Sequence, residues 1–285
     1  RMLRFASWVG GDMDGNPNVD ASTIRDTLNH HRMRVLMLYE AELHELFEHL
    51  SHSQLYVTPS EALSQRLAQY ANAAAERDAA PPRYSEMPYR NYVWQLWRRI
   101  KATQDAGAAC YTAPAQFIAD LEILQASLQG HGDTGGAQVL DLIRRVHTFG
   151  FHLATLDVRQ DSAVHREAVA EALARADFPS LPPGARLQVL HEALNGPIAV
   201  RASASDPQLR GTALERSLNV MRAIRECRAS HGEAAIGGYI ISMAENPDDV
   251  LAVLYLARAA GLCDDNANVP LDIAPLFEIV DDLDR

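Results

Sequence analysis

The sequence predicts a mainly helical protein with a parallel β component, about four strands of which form part of a βα barrel. Three observations carry that expectation. Short apolar runs of strand length lie at 5–10, 152–158, 236–243 and 271–278. Helical connections separate the later runs and a long helical stretch follows the first, and strands that alternate with helices form parallel sheets. Each run also ends in groups suited to chemistry: the Gly10-Gly11-Asp12 loop, Arg159, Ser242-Met243 and Glu278. In a βα barrel the active site is built at the C-terminal ends of the strands. We read 1–285 as a single partial domain, with a helical insertion over about 20–149 and βα units over about 150–285. Arg1 stands beside an apparent strand and Arg285 just after another, so a segment of something longer is expected.

The first run, Phe5 to Val9, breaks into Gly10-Gly11, Asp12, Asp14-Gly15 and Asn16-Pro17. Asp-Gly and Asn-Pro are turn dipeptides, and paired glycines let the backbone approach where side chains would not fit. Asp20 or Ser22 then caps a long helix to about Ser51, with Ile24, Leu28, Val35, Leu38, Leu46 and Leu50 at helical spacing. Within it, His44 and His49 are at i, i+5, roughly 140° apart around a helix, and cannot share a metal. His49 and His52 have a permitted spacing but read as a solvated face.

Thr58-Pro59-Ser60-Glu61 is a capping box with proline at the first helical position, opening a helix to about Asp78. Another helix is expected over about 88–104, its Tyr92, Trp94, Leu96, Trp97 and Ile100 packing in a core. A third covers 115–128. Gly130-His-Gly132-Asp-Thr-Gly135-Gly136 matches a dinucleotide fingerprint literally, yet it follows a helix where that fingerprint requires a strand. A further helix, 139–149, stops at Gly150.

From here the pattern changes to βα. The run 152–158 ends at Arg159, and Asp161 or Ser162 caps a helix to about Ala176. A Pro/Gly-rich connection leads through 187–194 to a helix around 214–229. After the strand 236–243, Asn246-Pro247-Asp248-Asp249 supplies a cap, a first-turn proline and two acids at the positive end of the dipole. That helix runs to Gly261, and the last strand ends on Glu278, with Asp281 and Asp282 beyond.

Composition narrows the function. A net charge of −11 over 285 residues offers no basic field for nucleic acid or anionic membrane. No apolar run reaches membrane-spanning length, and no signal-peptide pattern opens the chain. Three scattered cysteines, Cys110, Cys227 and Cys263, point to reduced thiols and a cytoplasmic protein. An arginine fork grips phosphate or carboxylate bidentately, and a strand-mouth carboxylate can hold Mg²⁺. Arg159 and Glu278 together suggest a small phosphorylated or carboxylated anion handled with a divalent cation. The structural alternative is that Arg159 pairs with Asp157 or Asp161.

At these residues the sequence resembles bacterial-type phosphoenolpyruvate carboxylases. FASWVGGDMDGNPNV (5–19) is similar to that family's F-x-S-W-x-G-G-D-R-D-G-N-P motif, and LDVRQDSAVH (156–165) to its D-I-R-Q-E-S segment. YIISMAENPDDVLAV (239–253) and APLFEIVDDL (274–283) resemble two further blocks in the family's order. The resemblance implies a (β/α)8 TIM-like barrel with long additional helices, in a cytoplasmic homotetramer. It implies carboxylation of phosphoenolpyruvate by bicarbonate to oxaloacetate and phosphate, with Mg²⁺ or Mn²⁺. By position, Glu278 matches a metal-binding carboxylate and Arg159 a catalytic arginine that contacts the substrate's anionic groups. Trp8 and Leu276 match apolar residues lining the substrate pocket, and Asp12, Asp14 and Asn16 belong to the substrate-binding loop.

Two positions depart from the pattern. Met13 stands where the motif has arginine, removing a cation expected at the strand mouth, and Glu245 stands where a basic or neutral residue is expected. The family's second metal carboxylate, catalytic histidine and glycine-rich loop have no counterpart here, so the segment alone is expected to be inactive. The competing reading is a non-catalytic helical scaffold that keeps a degenerate barrel half. Other carboxy-lyase chemistry on a related barrel is a weaker alternative.

Overall fold

The computed structural model describes residues 5–73, 80–130, 135–197 and 210–277. Their elements are β1 (Ala6–Ser7), α1 (Ala21–His49), α2 (Glu61–Ala73), α3 (Pro88–Gln104), α4 (Pro114–Gln129) and α5 (Gly136–Phe149), followed by β2 (Thr155–Asp161), α6 (Ser162–Leu173), α7 (Pro183–Asn195), α8 (Ala213–His231), β3 (Ile236–Ser242), α9 (Pro247–Ala259) and β4 (Asp272–Pro275). The chain is mostly helical, and its strands form one parallel sheet in the order β1-β2-β3-β4. No described helix is long and apolar enough to cross a membrane.

Local chemistry moves several boundaries. The strand expected at 152–158 lies three residues later. Gly150 ends α5 at φ +54° and Leu153 turns the backbone again at φ +65°, so extended structure begins only at Thr155. Arg159 is therefore inside β2, with Asp161 at its end. β1 has only two residues because Gly11 and Asp12 both donate to Trp8 O, at 2.9 and 3.0 Å, closing a turn immediately after it. α2 starts at Glu61 with Ser60 Oγ accepting Leu63 N–H, so Pro59 precedes the cap and Thr58 is not the cap. The literal fingerprint from Gly130 runs from the end of α4 to Gly136, the first residue of α5, with 131–134 outside the described residues, as are 278–285 and with them Glu278.

The chain divides into two units, Arg1–Asn29 with Ala154–Arg285, and His30–Leu153. In the second, Tyr39, Leu43, Tyr92, Leu96, Phe117, Leu121 and Leu142 pack into one buried cluster from α1, α3, α4 and α5. Fully buried Asp120 accepts from Tyr70 and Tyr111 hydroxyls at 2.5 and 2.8 Å and from Arg66 Nη1 at 2.5 Å. A buried carboxylate is tolerable only when its lone pairs are filled in this way. Trp94 and Trp97 meet edge to face and pack against the same cluster, the structural role expected of them.

In the first unit, Leu156 and Val158 of β2 and Tyr239 and Ile241 of β3 enter a core shared with α6, α8 and α9. Strand side chains alternate, so Asp157, Arg159 and Asp161 share the opposite face of β2. α9 begins with an Asn246/Asp249 capping box and Pro247 in its first turn. Such caps contribute about 1 kcal/mol each.

Candidate active site

The loop after β1 returns to the sheet beside Arg159. Arg159 N–H donates to Gly11 O and Met13 N–H to Arg159 O, both at 2.9 Å, which makes Asp12 and Arg159 neighbours in a parallel bridge. Two glycines permit this path. Gly10 has φ +88°, and a Cβ on Gly11 would lie 2.2 Å from the Asp157 carbonyl oxygen. The Gly-Gly pair thus serves close backbone approach, as its sequence suggested.

The side chains converge on one guanidinium. Arg159 Nε donates to Asp12 Oδ1 and Nη2 to Asp14 Oδ2, each at 2.9 Å. Its Cζ lies 4.8 Å from the Trp8 ring centroid, so the indole covers one face of the fork. Two carboxylates and an aromatic face hold a planar cation in one orientation. Arg159 pairs with these two loop acids and not, as local spacing suggested, with Asp157 or Asp161. Asp157 Oδ1 accepts Gly238 N–H at 3.1 Å, and Asp161 Oδ1 accepts Ala163 N–H at 2.7 Å as the cap of α6. Asn16 is exposed and its Oδ1 accepts Asn18 N–H, an Asx turn at the loop tip. Leu276 is partly buried, and its N–H donates to Ile241 O at 2.9 Å, beside the end of β3.

Position 13 also has an answer. Met13 is buried in the core of this unit while Asp12 and Asp14 on either side turn to Arg159. With Gln160, Asn219, Val220 and Tyr239 it lines a cavity of about 130 Å³. Its side chain therefore faces the core and not Arg159. Glu245 is exposed, and its backbone N–H donates to Asp249.

The ends of β2 and β3 are tied together. Ser162 Oγ donates to Met243 O at 2.7 Å and accepts from Arg166 Nη2, while Arg166 Nε donates to Asp249 Oδ1 at 2.9 Å. Asp249 Oδ2 accepts the Glu245 and Asn246 N–H groups. The turn carrying Met243, at φ +53°, is thereby fixed. Sequence reasoning found the acids of this helix start but not their arginines, Arg166 on α6 for Asp249 and Arg186 on α7 for Asp248.

The described residues do not by themselves fit a divalent metal. Asp12 and Asp14 are engaged by Arg159, and no described group of three or more His, Cys, Asp or Glu could hold an ion. Glu278, the expected ligand, lies outside the described residues.

The sequence model of the family described as phosphoenolpyruvate carboxylase matches residues 1–285. The chain belongs to the phosphoenolpyruvate carboxylase family. A protein of that name from Xanthomonas campestris pv. campestris (strain 8004) is 47% identical over 286 residues, covering 99% of this chain and 31% of the relative. Phosphoenolpyruvate carboxylases of Xanthomonas oryzae pv. oryzae (strain MAFF 311018) and Burkholderia vietnamiensis (strain G4 / LMG 22486) are 45% and 35% identical, each over 99% of this chain. The chain thus spans about 31% of the length of these Xanthomonas relatives.

Proposed function

We propose that these 285 residues are the part of a cytoplasmic, homotetrameric phosphoenolpyruvate carboxylase that carries its substrate arginine, and that the parallel sheet belongs to a (β/α)8 barrel. The observation that supports this best is the constrained Arg159 fork, held by Asp12 and Asp14 and roofed by Trp8. A fork whose orientation is already fixed loses little freedom when an anion docks on it. Arg159 binds an anionic group of phosphoenolpyruvate. Trp8 and Leu276 border the apolar methylene carbon, while Asp12, Asp14 and Asn16 shape the loop around it. Bicarbonate attacks the phosphoryl group, giving carboxyphosphate and the enolate of pyruvate. Carbon dioxide released from carboxyphosphate is then captured by the enolate carbon, yielding oxaloacetate and phosphate. An apolar, water-poor wall protects the enolate from protonation. In the complete protein Glu278 supplies one carboxylate toward Mg²⁺ or Mn²⁺, with other ligands from substrate, water and residues outside this segment.

The test is oxaloacetate formation by the complete protein from phosphoenolpyruvate and bicarbonate, compared with Arg159→Lys. Lysine keeps the charge but cannot span both carboxylates or present a fork. We expect turnover to fall about 100-fold with the melting temperature nearly unchanged. Normal turnover with a large loss of stability would make Arg159 structural and remove the support for this function.

A further inference from the structure

We infer that Asp157 is a positioning residue for Arg159, an inference that rests on the function just proposed. Asp157 precedes Arg159 by two positions on the same face of β2 and meets a glycine on either side. Its carbonyl oxygen lies where a Cβ on Gly11 would be, at 2.2 Å. Its Oδ1 lies where a Cβ on Gly237 would be, also at 2.2 Å, and accepts Gly238 N–H at 3.1 Å. Only a residue without a side chain fits at 11 and at 237, so the Asp157 peptide and carboxylate are held between the loop and β3.

This contact coincides with the single irregularity in the β2–β3 ladder among the described residues. Leu156 is paired with Ile236, but Val158 is paired with Tyr239, so β3 uses one extra residue across the interval containing Asp157. A bulge takes a backbone donor out of the ladder. The Asp157 carboxylate supplies the missing acceptor to Gly238. Beyond it the pairing is regular, with Arg159 beside Ile240 and Asp161 beside Ser242. The same stretch of β2 receives Asp12 through the Gly11 O and Met13 N bonds to Arg159. Asp157 therefore sets the register in which Asp12, Asp14 and Trp8 meet the guanidinium. It forms none of those contacts itself. Gly237-Gly238 inside a strand otherwise rich in isoleucine is the signal for this arrangement, since interior glycines mark bulges and close approach.

The experiment uses the complete protein and a double-mutant cycle with Arg159→Lys, reading kcat/KM for phosphoenolpyruvate. Asp157→Ala alone should lower kcat/KM by about 10- to 100-fold, the scale expected for misplacing a binding group by an ångström. In the Arg159→Lys background the same change should cost less than about threefold, because the well-placed fork is already gone. Asp157→Asn keeps an oxygen acceptor for Gly238 and should retain most activity. If Asp157→Ala does not fold, Asp157→Glu keeps charge and carries the acceptor past Gly238, allowing the same cycle. Equal fold-losses in both backgrounds would overturn the inference by showing a general structural effect, as would Asp157→Asn being as damaging as Asp157→Ala. A wild-type complete protein that forms no oxaloacetate is a distinct result, which overturns the proposed activity and this inference with it.

Discussion

The proposed chemistry depends on Arg159, and its surroundings restrict what it can do alone. It is 18% exposed and bonded to two carboxylates, so the local set of Arg159, Asp12 and Asp14 carries a net negative charge. An incoming phosphate or carboxylate needs further cations, and the overall charge of −11 supplies no general attraction. Glu278 is the matching question on the carboxylate side. For the complete protein we expect Glu278→Gln to weaken Mn²⁺ binding by at least about tenfold, the scale lost with a residue that only supports a ligand, because a neutral amide is a poorer ligand for a hard cation. Titration with Mn²⁺ followed by its electron paramagnetic resonance checks this, and an unchanged affinity would remove Glu278 from the metal site. At this scale the sequence named the loop and the arginine but not their partnership. Asp12 and Arg159 are 147 positions apart, and only local pairs such as Asp157 or Asp161 could be weighed from spacing. The side of the loop that Met13 occupies was illegible for the same reason.

Between elements, the contact of α6 with β3 provides a pH-dependent interaction. His165 Nε2 and the Tyr239 hydroxyl are 2.9 Å apart, both fully buried beside the core of the first unit. Burial is the main reason that the His165 pKa falls to about 4, with the Asp249 carboxylate opposing the shift and Arg166 adding to it. Burial likewise pushes the Tyr239 hydroxyl up, so both rings are neutral near pH 7. A histidine with a lowered folded-state pKa binds more protons when unfolded. Its contribution is therefore fully present above about 6.5 and is lost as pH falls toward 4. That difference corresponds to about 3 kcal/mol. We expect His165→Gln, which can still bond Tyr239, to flatten the fall in melting temperature between those limits. Parallel wild-type and variant curves would show that His165 does not drive it. The helices were largely legible because their caps and apolar spacing are local: α3 begins and ends where expected, and α6, α8 and α9 shift by a few residues. β2 was misplaced because its boundary depends on the backbone turn at Leu153, for which the sequence 151–154 carries no glycine or proline signal.

At the scale of the whole molecule, the sheet order β1-β2-β3-β4 leaves β1 and β4 as its outer strands among the described residues. Trp8, Val9, Met243 and Phe277 are exposed just beyond the C-terminal ends of β1, β3 and β4. Open edges and exposed apolar groups promote association. Abundant local helices and the two buried clusters should nevertheless let the 285 residues fold when produced alone, giving a helical product that is soluble or self-associating. Catalysis demands more. Arg159 is already balanced by two acids, the described residues hold no metal cluster, and one arginine cannot neutralise both anionic groups of phosphoenolpyruvate. Donors aimed at charge developing in a transition state are typically worth about 3 kcal/mol each. In the proposed function those donors come from the rest of the enzyme, so turnover should fall below detection. The measurement is a coupled assay for oxaloacetate on the purified 285-residue chain with phosphoenolpyruvate, bicarbonate and Mn²⁺. Turnover above background that disappears in Arg159→Ala would mean that this segment contains a self-sufficient active site, contrary to the proposed division of the site between this segment and the rest of the enzyme.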